Sequence, residues 1–417
     1  MQKNAITEKL KAAKQAGYSL HSLSEDKIRA VLDDFAQALE DNSVPLIAEN
    51  ARDLEKMEQS NPLYDRLLLD SVRISAIAAD IRKVARLPSP VGELCESRTL
   101  PNGAHLSRIR VPMGVVAVIY ESRPNVTADV FSLCFRTQNA CIMKGGSDAD
   151  HSNRAIVALI HATLNKHGID RECVFLMPPD RESLPVLLKS HGLVDVCIPR
   201  GSQGLIDFVR ENASVPVIET GRGVVHIYVH DDASPAMANP VIVNAKTRRP
   251  SVCNTLDTLI VHRSALAHLP ALLDGLADKN VAIHADPAAL EVLETCYPHA
   301  LLSPCDEQSL NAEFMALRMN VVTVAGLDEA MAHIRRYSSG HTEAILTQSA
   351  EAAEKFAAGV DSSSVMINAS TAFADGGEYG LGAEIGISTQ KLHARGPMGL
   401  EPLTSCKWIL RGTGQVR

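Results

Sequence analysis

Residues 114–120 read Gly-Val-Val-Ala-Val-Ile-Tyr, and this short apolar stretch decides the fold class. Its continuous run of apolar side chains is typical of a strand that is buried on both faces, as strands of parallel sheets are. A helical pattern follows over residues 127–137, and a second apolar strand follows over residues 140–143. A strand, a helix and another strand in this order predict two parallel strands joined by a crossover helix.

The same alternation continues toward the C-terminus. We expect helices over residues 153–167 and 182–191, strands over residues 173–176, 194–198 and 225–229, and further alternation to residue 259. This pattern predicts an α/β fold of doubly wound parallel sheets with helices on both faces. Toward the N-terminus, the first hundred residues have helical spacing and end in a turn-rich segment, after which residues 104–111 read as a strand or arm outside a core.

The composition limits the classes of function. With 417 residues, 46% of them apolar and 22% charged, the chain can bury more than one core and is expected to form two or more domains. The net charge of −8 argues against nucleic acid or an anionic membrane as the main partner. The first twenty residues do not resemble a secretory signal and no apolar run is long enough for a bilayer, so we expect a cytoplasmic protein.

The cysteine pattern agrees with a reducing compartment. The nine cysteines are scattered through apolar segments and include no Cys-x-x-Cys pair. Neither His-Glu-x-x-His nor a paired Cys/His spacing occurs, so we expect no metal site.

One cysteine has different neighbours. The stretch Lys246-Thr247-Arg248-Arg249-Pro250-Ser251-Val252-Cys253-Asn254-Thr255 places a thiol among cationic and hydroxyl side chains, just before an apolar β-type run. Nearby positive charge lowers the pKa of a thiol and so favours the nucleophilic thiolate. Cys253 is therefore the candidate nucleophile, and a buried inert thiol is the alternative.

Two glycine-rich turns follow predicted strands, where parallel sheets bind their ligands. The first is Lys144-Gly145-Gly146-Ser147, and the second is Arg200-Gly201-Ser202-Gln203-Gly204, which precedes a helix. Free backbone N–H groups at a helix start favour anionic oxygens such as those of a diphosphate. Glycines are also common in such turns for geometric reasons alone. Neither turn fits Gly-x-Gly-x-x-Gly, and no P-loop motif occurs, so a dinucleotide would be bound in another way.

Several longer strings form a recognisable set, and on them the chain resembles the aldehyde dehydrogenase superfamily and, within it, the gamma-glutamyl phosphate reductase family over essentially its whole length. The strings are Ile119-Tyr120-Glu121-Ser122-Arg123-Pro124-Asn125-Val126, Lys144-Gly145-Gly146, Ile198-Pro199-Arg200-Gly201, Val241-Ile242-Val243-Asn244-Ala245-Lys246-Thr247-Arg248-Arg249-Pro250, Ala332-His333-Ile334, His341-Thr342-Glu343-Ala344-Ile345, Asn368-Ala369-Ser370-Thr371 and Ser388-Thr389-Gln390-Lys391-Leu392-His393-Ala394-Arg395-Gly396-Pro397-Met398-Gly399.

The resemblance implies an aldehyde dehydrogenase-like architecture of two doubly wound parallel-sheet domains plus a β oligomerisation arm. Residues 1–97 and 113–230 are expected to form the NADP(H)-binding domain, and residues 231–368 the catalytic domain with the cysteine loop. Residues 98–112 and 401–417 would form the arm, and residues 369–400 a return segment that lines the active site. Because such an arm exposes strand edges unless it pairs with another subunit, we expect a homo-oligomer.

The resemblance also implies a reaction, the NADPH-dependent reduction of L-glutamate 5-phosphate to glutamate 5-semialdehyde and phosphate, on the way to proline. The Cys253 thiolate would displace phosphate and form a thioester, which hydride then reduces. The backbone N–H of Cys253 and the side chain of Asn125 are candidate donors to the oxyanion, although Asn125 also suits a turn. Glu219 lies 34 residues before Cys253, near the spacing of the water-activating glutamate in oxidising relatives. A reductase has no such step, so Glu219 either lines the site and transfers protons or is a solvated strand-end carboxylate.

Residues for the cofactor are implied in the same way. NAD-specific members carry a glutamate three residues after the lysine that follows this strand, and here that position is Ser147. The missing carboxylate leaves room for a 2′-phosphate with Lys144 as its charge partner, so NADP(H) is expected. Gly201 and Ser202 are the candidates for the diphosphate. Glu313 resembles the glutamate that meets the nicotinamide ribose, although the Met-Ala-Leu that follows departs from the common Gly-Pro pattern.

Substrate binding needs cations for a carboxylate and a phosphate, and arginine suits such bidentate contacts. A histidine can assist, although a lone histidine is more often a structural hydrogen-bonding residue. The candidate substrate residues are Arg123, Arg248, Arg249, His341, His393 and Arg395.

Two alternative functions remain open. One is a non-phosphorylating dehydrogenase that oxidises a semialdehyde, and the other is a thiol hydrolase or acyltransferase that uses Cys253 with a histidine and no nucleotide. The sequence after Glu219 and the cationic stretch before Cys253 disfavour the first, and independence of NADP(H) would identify the second. The resemblance further implies glutamate 5-kinase as a partner that passes on the substrate.

Overall fold

The computed structural model describes residues 3–61 and 64–417. Four residues of the predicted first domain, at positions 1, 2, 62 and 63, lie outside the described part. The contacts divide the chain into two compact units. The first unit comprises Met1–Thr220, Gly380–Gly386 and Pro397–Arg417, and the second comprises Gly221–Tyr379 and Ile387–Gly396.

Up to residue 220, the first unit contains nine α-helices and six strands within the described residues. They are α1 (Lys3–Leu20), α2 (Glu25–Asp41), α3 (Ser43–Leu54), α4 (Tyr64–Leu67), α5 (Ser71–Arg86), β1 (Leu94–Thr99), β2 (His105–Pro112), β3 (Val115–Tyr120), α6 (Pro124–Arg136), β4 (Ala140–Lys144), α7 (Asp150–Lys166), β5 (Val174–Leu176), α8 (Ser183–Leu188), β6 (Val196–Arg200) and α9 (Gln203–Asn212).

The rest of the described chain contains six α-helices and ten strands, of which the last strand belongs to the first unit. They are β7 (Val225–Val229), α10 (Pro235–Thr247), β8 (Leu256–His262), α11 (Leu269–Leu272), β9 (Ala282–Ala285), α12 (Pro287–Leu293), β10 (Leu302–Pro304), α13 (Glu307–Leu310), β11 (Arg318–Val324), α14 (Leu327–Tyr337), β12 (Thr342–Leu346), α15 (Ala350–Gly359), β13 (Ser364–Ile367), β14 (Ile387–Ser388), β15 (Gly396–Pro397) and β16 (Thr404–Arg411). Short 3₁₀ helices lie at Ser147–Ala149, Arg171–Cys173, Arg263–His268, His299–Leu301, Thr371–Phe373 and Glu401–Leu403.

The helical N-terminal region packs as its spacing predicts. In α2, apolar side chains three and four residues apart, among them Ile28, Leu32 and Phe35, are all buried. Ser24 caps this helix, because its side chain accepts the backbone N–H of Lys27.

The first unit is built on a four-stranded sheet with the order β5-β4-β3-β6, in which every neighbouring pair is parallel. All six residues of β3 are buried, which agrees with the continuous apolar run at residues 115–120. Since parallel strands end at the same edge, the turns after β3, β4 and β6 lie side by side.

The second unit is built on a seven-stranded sheet with the order β10-β9-β11-β8-β7-β12-β13, again parallel throughout. Its main core packs α10, α11 and α12 side chains against β7, β8, β9 and β11. The predicted α/β fold class with two parallel sheets is thus confirmed. The predicted domain boundary at residue 230 differs from the structure, because β7 pairs with β8 and β12 and so belongs to the second unit.

A separate antiparallel sheet has the order β1-β2-β16. It begins at Leu94 and not at residue 98 as the sequence suggested, because Glu96 to Thr99 already pair with β2. Both outer strands carry exposed apolar side chains, with Leu94 58% and Trp408 50% exposed. A search of the described residues finds no helix that is both long and apolar enough for a membrane span.

Candidate active site

Cys253 lies in the turn of residues 248–255, which connects α10 with β8 in the second unit. Its side chain is half-buried, whereas Cys134, Cys141, Cys173 and Cys197 are fully buried. Burial raises the pKa of the Cys197 thiol to about 12 and also raises that of Cys173, so these cysteines remain neutral core side chains. The contrast between Cys253 and the core cysteines matches the sequence interpretation.

The residues after Cys253 hold the turn in place. The Asn254 side-chain amide donates to the carbonyl oxygens of Ala372 and Ala374, at 3.4 and 3.1 Å. In return, the Thr371 hydroxyl donates to the Asn254 carbonyl at 2.7 Å. The Asn254 side chain is buried, so these bonds form away from water, where breaking them is costly. They fix the backbone next to the sulfur.

Gly223 packs directly against the backbone of Cys253. A Cβ built on Gly223 would lie 1.6 Å from the carbonyl oxygen of Cys253 and 3.0 Å from its Cα. Only glycine fits at such a close approach. The Gly223 N–H donates to Glu313 Oε1 at 3.1 Å, so Glu313 holds the segment that touches Cys253. The sequence assigned Glu313 to the nicotinamide ribose, which stays a prediction, and gave no sign of this contact.

The cationic residues around Cys253 differ in exposure. Arg248 and Arg249 are exposed in the turn itself. Lys246 was expected to lend positive charge to the sulfur, but its side chain is fully buried and its Nζ donates to the carbonyl oxygen of Leu256 at 2.8 Å. The two arginines therefore remain as the solvent-accessible positive charges of this stretch.

The other predicted substrate residues of the second unit have different surroundings. Arg395 donates to the Asp361 backbone oxygen at 2.7 Å and pairs with its carboxylate at 2.8 Å. Together with Lys391, it lowers the pKa of Asp361. His393 is exposed and has φ of 66°. His341 is fully buried, and burial lowers its pKa to about 4. Its contact with the substrate stays a prediction.

The first unit holds four of the five predicted cofactor residues, all at one edge of its sheet. Ser147 begins the short helix after β4 and is exposed, and Gly201 and Ser202 are exposed in the turn between β6 and α9. Lys144 is nearly buried at the end of β4, and its Nζ donates to the carbonyl oxygens of Gly145 and Pro179, at 3.3 and 3.1 Å. Two of its three N–H donors are thus engaged, and one remains for the expected contact with a 2′-phosphate.

A carboxylate already lies at the start of α9. Glu121 Oε2 accepts the backbone N–H of Ser202 at 2.8 Å. A Cβ built on Gly201 would lie 2.4 Å from the same oxygen, so a larger residue there would displace the Glu121 side chain from this position. The turn therefore binds an anionic oxygen in this structure, which fits the donor set that a diphosphate needs.

Ser122 and Asp148 form a contact that the sequence did not reveal. Ser122 follows β3 with φ of 42°, a conformation that is uncommon for residues other than glycine, and it is buried. Its hydroxyl donates to the Asp148 carboxylate. Strained residues of this kind concentrate at functional sites. A polar Glu-Ser pair directly after a buried strand was the available signal, whereas the positive φ was not readable.

The remaining predicted residues of the first unit also have intramolecular partners. The Asn125 amide donates to Asp129 one turn later in α6, at 3.1 Å, and burial raises the pKa of Asp129 to about 6. This bond engages one of the two N–H donors of the amide, and the role of Asn125 at the oxyanion stays a prediction. Glu219 forms an ion pair with Arg210 at 3.4 Å. Arg123 is half-buried at the N-cap position of α6.

Comparison with known proteins gives a consistent family. No family model matches the chain. A gamma-glutamyl phosphate reductase of Pelodictyon phaeoclathratiforme is 50% identical over 415 residues, which cover 100% of this chain and 99% of that protein. One of Chlorobium luteolum is 51% identical over 414 residues, 99% of both chains. The crystal structure of gamma-glutamyl phosphate reductase from Thermotoga maritima matches with a TM-score of 0.93 at 37% identity, covering 98% of this chain and 99% of that chain.

More distant structures share the fold alone. An acetylating aldehyde dehydrogenase from Geobacillus thermoglucosidasius matches with a TM-score of 0.73 at 17% identity, over 100% of this chain and 98% of that chain. A glyceraldehyde-3-phosphate dehydrogenase from Methanocaldococcus jannaschii, complexed with NADP, matches with a TM-score of 0.72 at 16% identity, over 98% and 94%. The fold is therefore aldehyde dehydrogenase-like.

Proposed function

The chain belongs to the gamma-glutamyl phosphate reductase family of the aldehyde dehydrogenase superfamily, and from this premise we propose that it reduces L-glutamate 5-phosphate with NADPH through a thioester on Cys253. Family membership confirms the resemblance and makes the chain an oxidoreductase that reduces glutamate 5-phosphate in proline biosynthesis. The thioester and the choice of NADPH are the parts that we propose. The observation that carries the thioester is the half-buried thiol of Cys253, set on a turn whose backbone is fixed on both sides.

The first step is acyl transfer to sulfur. The Cys253 thiolate attacks the carbonyl carbon of the acyl phosphate, a C–S bond forms, and the C–O bond to phosphate breaks. Arg248 and Arg249 lie in the turn and supply positive charge for the departing phosphate. We assign stabilisation of the tetrahedral oxyanion to the backbone N–H of Cys253, because the turn that carries it is fixed by Asn254 and Gly223.

The second step is reduction of the thioester. When bound, NADPH supplies the hydride that converts the thioester carbonyl into a thiohemiacetal. The thiohemiacetal then loses its proton, the C–S bond breaks, and the aldehyde leaves while Cys253 returns to the thiolate. The balance is one acyl phosphate, one NADPH and one proton consumed, and one aldehyde, one NADP⁺ and one phosphate released. No water enters this cycle, so Glu219 has no water to activate.

The cofactor residues fit an anionic dinucleotide. We assign the diphosphate to the N–H groups of Gly201 and Ser202, because this turn already binds the Glu121 carboxylate. The 2′-phosphate is assigned to the surroundings of Ser147, because the glutamate of NAD-specific members is absent from this position, with Lys144 as the nearest predicted charge. An NADP complex among structures of the same fold supports a nicotinamide cofactor.

Assembly and location belong to the same proposal. The exposed apolar side chains on the outer strands of the β1-β2-β16 sheet support an arm that pairs with a second copy of the chain. Analytical ultracentrifugation of the full chain should give a mass above that of one chain, and a monomer at working concentration would exclude this role. We further propose that the protein lies in the cytoplasm and receives its substrate from glutamate 5-kinase.

The reaction run backwards tests the function. Purified protein with glutamate 5-semialdehyde and NADP⁺ should form NADPH only when inorganic phosphate is added. A non-phosphorylating dehydrogenase would form NADPH without phosphate, and a thiol hydrolase or acyltransferase would need no nucleotide. Each of these results would refute the proposed reductase.

A cysteine substitution tests the nucleophile. Cys253→Ser should abolish turnover, by more than about 10³-fold, because a serine hydroxyl is not ionised at neutral pH, and it should leave NADPH binding intact. Cys296→Ser is the matched control, since Cys296 is an exposed cysteine of the same unit, and it should retain full turnover. Retained turnover in Cys253→Ser would discard the assignment.

A further inference from the structure

A β-bulge lies next to the Cys253 turn. Between β7 and β8, Val225 pairs with Leu256 and His226 pairs with Thr258, so Asp257 is an extra residue on β8. Bulges are rare between parallel strands, and they often re-aim a side chain beside an active site. Here the re-aimed side chain is the carboxylate of Asp257, only four residues after the candidate nucleophile.

The Asp257 carboxylate fastens two other segments. Oδ2 accepts the N–H of Val225 at 3.3 Å, and Oδ1 accepts the N–H of Phe314 at 3.1 Å. Asp257 is 1% exposed, so these bonds are shielded from water. Through them, one side chain joins the start of β7 to the loop before β11.

Three consecutive amides are held in this way. The N–H groups of Gly223, Val224 and Val225 donate to side chains on other segments. The acceptors are Glu313 at 3.1 Å, Ser339 at 2.9 Å and Asp257 at 3.3 Å. Because Gly223 touches the Cys253 carbonyl, these bonds set the position of the backbone against which Cys253 rests.

Lys246 completes the arrangement from the other end of the turn. It is the second-to-last residue of α10, and its Nζ donates to the carbonyl oxygen of Leu256, the first residue of β8. This single bond closes the base of the whole turn of residues 248–255. The Lys246 ammonium also lies 5.9 Å from the centre of the Phe314 ring.

Lys246 and Asp257 are buried groups of opposite charge, and each partly stabilises the charge of the other. Burial lowers the pKa of Lys246 and raises that of Asp257, and the attraction between their charges opposes both shifts. Removing one charge would leave the other buried without its counter-charge, which is strongly destabilising, whereas removing both is often neutral or stabilising. Apolar residues could pack at these two positions without loss of stability, so packing alone does not account for this buried charge pair.

We propose that Lys246 and Asp257 are positioning residues for the nucleophile, with Lys246 closing the base of the Cys253 turn and Asp257 fixing the segment on which Cys253 rests. This proposal rests on the function proposed above for Cys253. In the proposed role, Lys246 does not act by lowering the pKa of the thiol, because its ammonium is directed at the Leu256 carbonyl. The pair thus acts on the geometry of attack and leaves the ionisation of the sulfur unchanged.

Two isosteric variants and their combination test the proposal in the full chain. Lys246→Met and Asp257→Asn should each lower kcat of phosphate-dependent NADPH formation by about tenfold to a hundredfold, since misplacing a reacting group by about 1 Å has an effect of this size. KM for glutamate semialdehyde and the affinity for NADPH should stay within about twofold, because those groups bind elsewhere. The pH midpoint of Cys253 alkylation by iodoacetamide should remain that of the unmodified protein.

The double variant separates positioning from stability. With both charges removed, the melting temperature should recover relative to the single variants, while kcat should remain low. Recovery of kcat together with the melting temperature would show a purely structural role and overturn the proposal. An upward shift of the alkylation midpoint in Lys246→Met would overturn it as well, because it would show a charge effect. If a single variant does not fold, the double variant alone decides between these outcomes.

Two controls complete the experiment. Lys279→Met makes the same change at an exposed lysine that donates to Thr247 at the outer end of α10, and it should alter none of these quantities. Cys253→Ser reports on the underlying function. If Cys253→Ser keeps its turnover, the nucleophile assignment fails, whereas unchanged turnover in Lys246→Met and Asp257→Asn overturns only the positioning role.

Discussion

Replacing Gly223 by alanine should displace Cys253 without changing any group that takes part in the reaction. The new Cβ would lie 1.6 Å from the Cys253 carbonyl oxygen, whereas real Cβ atoms essentially never approach another atom closer than 3.0 Å. The two atoms must therefore separate by at least about 1.4 Å, which is the difference between these distances. Gly223 is held by its hydrogen bond to Glu313, and the backbone of Cys253 is held by the hydrogen bonds of the neighbouring Asn254. Neither backbone segment can therefore move freely.

The expected result is a loss of turnover together with a loss of stability. A misplacement of about 1 Å costs about a hundredfold in rate, so we expect kcat of Gly223→Ala to fall by at least about a hundredfold. Overpacking should also cost about 1–3 kcal/mol of unfolding free energy. The measurements are phosphate-dependent NADPH formation from glutamate semialdehyde and urea unfolding of the same preparations.

Gly326→Ala is the matched control in the same unit. Nothing lies within 4 Å of a Cβ at Gly326, and its φ of 176° is extended backbone that any residue adopts. This variant should keep the turnover of the unmodified protein. Turnover of folded Gly223→Ala within about threefold of that of the unmodified protein would refute the claim that Gly223 sets the position of Cys253.

Two further outcomes concern the cofactor turn and the buried histidine. Glu121→Ala should tighten NADPH binding by about threefold to tenfold, because the carboxylate on the Ser202 N–H would no longer compete with the diphosphate. Fluorescence titration measures this affinity, and Glu211→Ala, at the far end of α9, is the control. Unchanged or weaker NADPH binding in Glu121→Ala would contradict the prediction. His341 has its pKa lowered to about 4, so the unfolded chain takes up its proton first and stability is lost as the pH falls below about 6.5. Between about pH 7.5 and about pH 5 the His341 contribution amounts to about 2 kcal/mol. In urea unfolding, the loss of stability over this range should therefore be smaller by about 2 kcal/mol in His341→Asn, where the buried His333 still contributes, and equal pH dependence of the two proteins would count against this prediction.

Much of the fold was readable because parallel strands leave a local signature. The strand predicted over residues 114–120 matches β3 except for Gly114, which precedes β3, and β4 extends the predicted strand by Lys144 alone. Helix boundaries were less accurate. α6 begins at Pro124, three residues before the predicted start, because proline is well suited to the first turn of a helix.

The site was readable only where side-chain type alone carried the signal. Cys253 stands out by its polar neighbours, and the turn at Ser202 by its glycines. The destinations of charged and polar side chains depend on long-range contacts and were not readable. Lys246 faces Leu256, and His341 is fully buried directly before β12, whose residues are all buried.

The contact of Gly223 with Cys253 shows the same limit. The two residues are thirty positions apart, and neither local sequence predicts that they are in contact. The bulge at Asp257 likewise arises from the register of β7 and β8 and not from the residue types.

Mass spectrometry of a trapped intermediate tests the thioester most directly. Protein mixed with glutamate 5-semialdehyde and NADP⁺ in the absence of phosphate should accumulate one glutamyl group per chain, because phosphate is needed to release it. Peptide mapping should locate this group on Cys253, and added phosphate should remove it. A glutamyl group on another residue, or none at all while the protein is active, would contradict the proposed mechanism.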